Sequence, residues 1–237
     1  MTQTTELPMT ETDSAAVRSR LYKLFALVFR YPTPGVYEEL RSGKFPDEVC
    51  VHIASLPHLE TLENECRKME REVRKDLESV PFPEYETRFV QTFEVGAPAP
   101  PCAPYEGEYR EGEARTAIML EVSEFYRHFG LNMSQEEGKR ELPDHLCAEL
   151  EFLHFLTFKE AQAREEGNGE LLQGYLLAQK DFLERHLVKW IPTFSEKLQK
   201  QADVPFYHEL AAVTSQFVNA ELSLVRSLLM DFDAGQA

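Results

Sequence analysis

Apolar residues return every three or four positions along most of this chain. That spacing gathers them on one face of a helix and would scatter them over both faces of a strand. Val17, Leu21, Leu24, Phe25 and Val28 make one such face. Leu59, Leu62, Cys66, Met69, Val73 and Leu77 make a second, narrow one among Glu, Lys and Arg. Strand-like alternation of Val, Ile and Thr is rare, and only 11 of 237 residues are glycine. Helices are expected to start near Asp13, to span roughly 36–41, 46–55, 58–79 and 82–93, and to resume over 113–129, 143–165, 169–189 and 205–230. "RYPTPG", "EEGNGE" and "WIPTF" supply the breaks. The longest break is "EVGAPAPPCAPYEGEYREG", with prolines at 98, 100, 101 and 104; loops of this length inside a compact unit are often functional. The expected architecture is all-α: a single-domain bundle of roughly ten helices. A mobile tail, 1–12, precedes a helical domain, 13–232, whose halves, about 13–93 and 113–232, are joined by loop 94–112.

Charge and cysteine content narrow the function. A net charge of −16 repels nucleic acid phosphates and favours basic partners. Cys50, Cys66, Cys102 and Cys147 are too dispersed for a zinc or iron–sulfur signature. No stretch reaches the roughly 18 apolar residues of a membrane span, and "MTQTTELPMTETDSAAVRSR" lacks the pattern of a secretory signal. A soluble, reduced, cytoplasmic protein is expected, with no stable membrane insertion.

The stretch "KRELPDHLCAELEFLHFL", residues 139–156, carries the densest chemistry. Pro143 suits the first position of a helix and Asp144 its first turn. His145 and Glu149 then fall one turn apart on one face, continued by Phe152. Glu151 and His154 form an E-x-x-H pair, half of a carboxylate-bridged di-iron motif, but the chain holds no second E-x-x-H and no HExxH. G-x-S-x-G, Walker A and Rossmann fingerprints are absent as well. Cys147 and His145, two apart on a helix, are poorly placed as a nucleophile pair. A binding protein, a metal-dependent helical-bundle enzyme (a carboxylate-bridged oxidase or hydrolase) and a solvated helical scaffold all stay open on this reading.

Three elements in order resemble the TorD/DmsD/NarJ family of molybdoenzyme maturation chaperones. They are "LYKLFALVFRYP" near the N-terminus, "YETRFVQTF" followed by the proline-rich loop and "PYEGEY", and "ELPDHLCAELEFLHFL" with its E-x-x-D-H signature at Glu141, Asp144 and His145. The "PCAPYEGEY" loop is similar to the branch serving ethylbenzene and dimethylsulfide dehydrogenases and chlorate and selenate reductases. The resemblance implies a non-catalytic cytoplasmic chaperone without a cofactor of its own. Such a protein binds the twin-arginine signal and apo catalytic subunit of a molybdopterin oxidoreductase, assists cofactor insertion and withholds export until assembly is complete. It implies a peptide site at Glu141, Asp144 and His145, with Tyr22 and Phe25. Well-known members carry tryptophans near the central helix and loop, whereas this chain has only Trp190; Tyr85, Phe89, Phe93 and Tyr105 are expected to replace them.

The residue chemistry agrees with that site. An arginine-bearing peptide with an apolar run needs carboxylates for its guanidinium forks and a groove beside them. Glu141, Asp144 and Glu149 are expected to supply the first, and Leu146, Phe152 and the aromatics of 85–93 the second. The chain length of loop 94–112 permits either a monomer or a domain-swapped dimer.

Overall fold

A computed structural model describes residues 10–133, 141–201 and 204–234. The expected tail therefore lies mostly outside the described residues, as does most of the polar loop before Glu141. Among the described residues there are ten α-helices: α1 (Glu11–Val28), α2 (Pro34–Arg41), α3 (Lys44–Ser55), α4 (Glu63–Leu77), α5 (Phe82–Phe89), α6 (Arg115–His128), α7 (Leu146–Glu165), α8 (Gly169–Arg185), α9 (Leu187–Leu198) and α10 (Pro205–Ala234). No strand occurs among the described residues, so the all-α expectation holds; one isolated antiparallel bridge joins Tyr105 and His145.

Local chemistry explains several helix starts. Thr10 caps α1: its hydroxyl accepts the Asp13 N–H at 3.1 Å, and the Asp13 carboxylate accepts the Thr10 N–H at 3.3 Å. Asp13 is thus the return arm of a capping box, and the helix starts at Glu11, two residues before the expected point. Thr33 caps α2 with Pro34 in its first turn, and Asn168 caps α8.

Further boundaries differ from the sequence reading. The expected helix 58–79 opens as a 3₁₀ turn, Pro57–Leu62, before α4. "WIPTF" does not turn the chain; Pro192 sits inside α9. A proline there forfeits a backbone hydrogen bond, but Trp190, Ile191, Phe194 and Leu198 are all fully buried around it, and burial of large side chains at roughly 1.5–3 kcal/mol each outweighs the loss. The chain turns at His186 instead, whose φ −121 and ψ −95 are non-helical. Finally, α7 starts at Leu146, so Pro143 and Asp144 precede it, and His145 is the capping residue.

The two halves of the sequence interleave. Helix α1 lies along α7, α4 and α9 pack on α10, and α8 touches both α7 and α10. Tyr22 and Phe25 meet Phe217 at ring distances of 4.8 and 5.3 Å, and Phe93 meets Tyr207 at 4.9 Å. Residues from both halves fill one main apolar core.

A charge sits inside this bundle. Arg18 on α1 is fully buried and reaches three helices. Its Nε donates to Glu221 of α10 at 2.8 Å, its Nη1 to Glu160 of α7 at 3.0 Å, and its Nη2 to Gln179 of α8 at 2.9 Å. His58 adds a contact to Glu221 at 2.9 Å, and Gln179 donates to Glu160 at 2.9 Å. Burial pushes the Glu221 carboxyl up, but Arg18 and His58 outweigh it and leave it below the ordinary range. Removing one partner of such a group strands the others in a dry interior. Arg18→Met is expected to lower unfolding free energy by about 3–5 kcal/mol in urea titrations, and adding Glu160→Gln and Glu221→Gln to it should recover part of that loss.

Candidate functional site

The proline-rich loop folds back over the start of α7. The Leu146 N–H donates to the Pro104 carbonyl and the Glu106 N–H to the Asp144 carbonyl, both at 2.9 Å. Asp144 Oδ2 accepts the Gly107 N–H at 3.3 Å and lies 3.3 Å from the Arg115 guanidinium. Arg115 in turn stacks over Tyr105 at 4.7 Å. A Cβ on Gly107 would lie 2.4 Å from the Arg115 side chain, so glycine is needed where that arginine crosses the loop. His145 Nδ1 accepts the Cys147 N–H at 3.1 Å, which caps α7. Burial, and then Arg30 nearby, push the His145 pKa down to about 4, so its ring is neutral at pH 7. The Asp–His pair thus fastens the loop to the helix.

A second polar cluster lies beneath it. Glu106 is fully buried, paired with Arg110 and 2.8 Å from His186 Nδ1. Glu149, also fully buried, accepts the Trp190 indole N–H at 3.1 Å. Burial and the neighbouring Glu106 push the Glu149 carboxyl well above the usual range.

These contacts decide what a ligand can touch in this conformation. Asp144, His145, Glu149, Tyr85, Phe89, Phe93, Tyr22 and Phe25 are all buried, and Phe152, 2% exposed, shows only an edge, at a groove beside α7. Tyr85, Phe89 and Phe93 face Tyr207 on α10, and Tyr22 and Phe25 face Phe217. The aromatic set 85–93 therefore belongs to the core. Of the residues singled out in the sequence, Glu141 and Tyr105 are half-buried and reach the surface.

Glu141 borders a groove of about 670 Å³. Its apolar wall is made by Tyr126, Leu131, Phe152 and Phe155, together with Tyr31 from the segment after α1. Glu151 stands opposite Glu141, and Arg30 lies between them, with Nη2 2.5 Å from Glu151 Oε1 and Nε 3.6 Å from Glu141 Oε1. Phe158, an exposed residue one turn beyond Phe155 on α7, extends the apolar track away from the carboxylates. Sequence reasoning missed Arg30, Tyr31, Leu131 and Phe155 as site residues. It met Glu151 only as half of the E-x-x-H pair. In the structure that pair serves helix packing: Glu151 holds Arg30, and His154 Nδ1 lies 2.7 Å from the Ser19 hydroxyl on α1.

Among the described residues, one group has metal-ligating types close together: Glu141, His145 and Cys147, with donor atoms within 4.8 Å of one another. The His145 nitrogen that faces Cys147 is engaged as the α7 cap. Burial and the Glu141 charge hold the Cys147 thiol well above its ordinary pKa, which disfavours the thiolate that a metal requires. No helix of the described residues is long and apolar enough to cross a membrane.

A family model described as "nitrate reductase delta subunit" matches residues 59–196, more than half of the chain. The chain belongs to that family. It is 34% identical over 212 residues to the perchlorate reductase assembly chaperone protein of Dechloromonas aromatica, covering 89% of this chain and 90% of that one. It is 31% identical over 178 residues to the selenate reductase assembly chaperone protein of Thauera selenatis, covering 75% of each. A shorter match, 37% over 114 residues, joins it to the chlorate reductase assembly chaperone protein of Ideonella dechloratans, covering 48% of this chain and 57% of that one. Chaperones named TorD are among the more distant matches, which bears out the resemblance read from the sequence. These relatives are named as assembly chaperones, and the metal-dependent enzyme reading finds no support in them.

The buried cluster yields two expectations. The folded protein holds the Glu149 proton above the ordinary Glu pKa of about 4.3, so the folded state binds more protons than the unfolded one and stability falls as pH rises from there. Glu149→Gln abolishes this dependence: its stability relative to the native protein should rise between pH 5 and pH 8 in urea titrations at about those values. Parallel curves would refute the assignment. Asp144→Ala should release the loop, read as faster hydrogen exchange at the Glu106, Gly107 and Leu146 amides, with a stability loss of about 1–3 kcal/mol.

Proposed function

We propose that this chain is a system-specific assembly chaperone for the catalytic subunit of a molybdopterin oxidoreductase. The client class follows from the relatives, which are named for perchlorate, selenate and chlorate reductases. The chaperone binds the client's N-terminal twin-arginine signal and its apo form in the cytoplasm. It assists cofactor insertion and withholds export until assembly is complete.

The observation that carries the peptide-binding part is the groove beside α7. Glu141 and Glu151 lie at one end, already spaced to grip a single guanidinium, and Phe152, Phe155 and Leu131 continue from them as an apolar track. An arginine-bearing segment followed by an apolar helix-forming run has the complementary order of chemistry. The net charge of −16 draws such a segment in from a distance. Relative to the sequence reading, the acceptor carboxylates move from Asp144 and Glu149 to Glu151, with Glu141 retained.

Calorimetry with a synthetic peptide of two adjacent arginines and a leucine/alanine tail tests this. The doubly substituted protein, Glu141→Gln with Glu151→Gln, should bind it about tenfold or more weakly, with an unchanged circular dichroism spectrum. Equal affinity in both proteins would remove the groove from the reading.

A further inference from the structure

Arg30 occupies the place that the client's arginine needs. We infer that it is an intramolecular stand-in for the client guanidinium, which the arriving arginine must displace from Glu141 and Glu151. The inference rests on the docking groove proposed above and adds how that groove is kept closed to other ligands.

The geometry supports displacement rather than shared occupancy. The Arg30 side chain is the cation held between the two groove carboxylates, at 2.5 and 3.6 Å. It lines the groove together with Phe152 and Phe155. It is also 41% exposed and follows the end of α1, so it can swing into water without disturbing the core. Contrast Arg18 within α1, which is 1% exposed and held from three sides. A half-exposed ion pair of this kind is weak enough to exchange.

The exchange has a consequence for selection. Two carboxylates close together in a half-buried groove repel each other, and burial already pushes the Glu141 carboxyl upward while Arg30 opposes this. With Arg30 in place the repulsion within the pair is offset in part while the groove is empty. An incoming arginine replaces one guanidinium fork by another, so the carboxylates are never left unpaired. A neutral apolar peptide has nothing to offer them and leaves Arg30 where it is. The apolar track then adds affinity only to a ligand that has already made the exchange. Specificity arises from a built-in competitor as well as from attraction.

The test uses the full chain with the same synthetic peptide, and with a second peptide whose arginines are replaced by glutamines. Arg30→Ala should bind the arginine peptide roughly two- to fivefold more tightly than the native protein, the range set by a half-exposed pair. It should bind the glutamine peptide no better. Arg41→Ala makes the same change of net charge outside the groove, on an exposed residue of α2, and should leave both affinities unchanged. Weaker or equal binding of the arginine peptide by Arg30→Ala overturns the stand-in role while leaving the groove itself in place. An equal gain in Arg41→Ala also overturns it, because net charge then accounts for the effect. If neither the native protein nor Arg30→Ala binds the arginine peptide, the docking groove fails and the stand-in fails with it.

Discussion

Arg18 is the point on which the helix arrangement turns. A guanidinium taken out of water must find carboxylates there, and this one finds them on α7 and α10 with an amide from α8. Apolar faces can slide past each other by a turn at modest cost, since most side chains find another apolar neighbour. A buried ion pair cannot slide, because a shift leaves bare charges in the core. Arg18 therefore fixes how α1 lies on α7. Just past the C-terminal end of α1, that same alignment brings Arg30 beside Glu151, with Ser19 and His154 tied in between. The groove thus inherits its geometry from a charge in the interior.

Carboxylates in this protein do two different jobs. Glu106, Asp144, Glu149, Glu160 and Glu221 are interior struts, each fully or almost fully buried against a partner from a distant part of the chain. Glu141 and Glu151 sit at the groove, where a partner can be exchanged. The proline-rich loop separates the classes. By folding over the start of α7 it covers Asp144 and His145 and leaves Glu141 beside the opening.

Much of the fold was legible because helical periodicity is a local property. The helix pattern, most of its breaks and the long loop all follow from nearest-neighbour chemistry. The family resemblance was legible for the same reason, since its three elements are short contiguous strings. Misreadings occurred where a distant contact overruled local preference. Pro192 is tolerated inside α9 because Trp190 and Phe194 are buried on either side of it. The α7 start moved to Leu146 because the Pro104 carbonyl accepts its N–H and His145 caps it.

The sequence by itself determined an all-helical bundle, its acidic character and its family. It did not separate strut from acceptor among the acidic residues, since Asp144, Glu149 and Glu151 are equally plausible on a helical wheel. Only the tertiary structure decided that two of them are sealed and the third faces the groove. Burial of a carboxylate depends on which remote cation or amide arrives beside it, and the pairings of Arg18 with Glu221 and of Arg30 with Glu151 span 203 and 121 residues of chain. Spacing along one helix carries no record of that meeting.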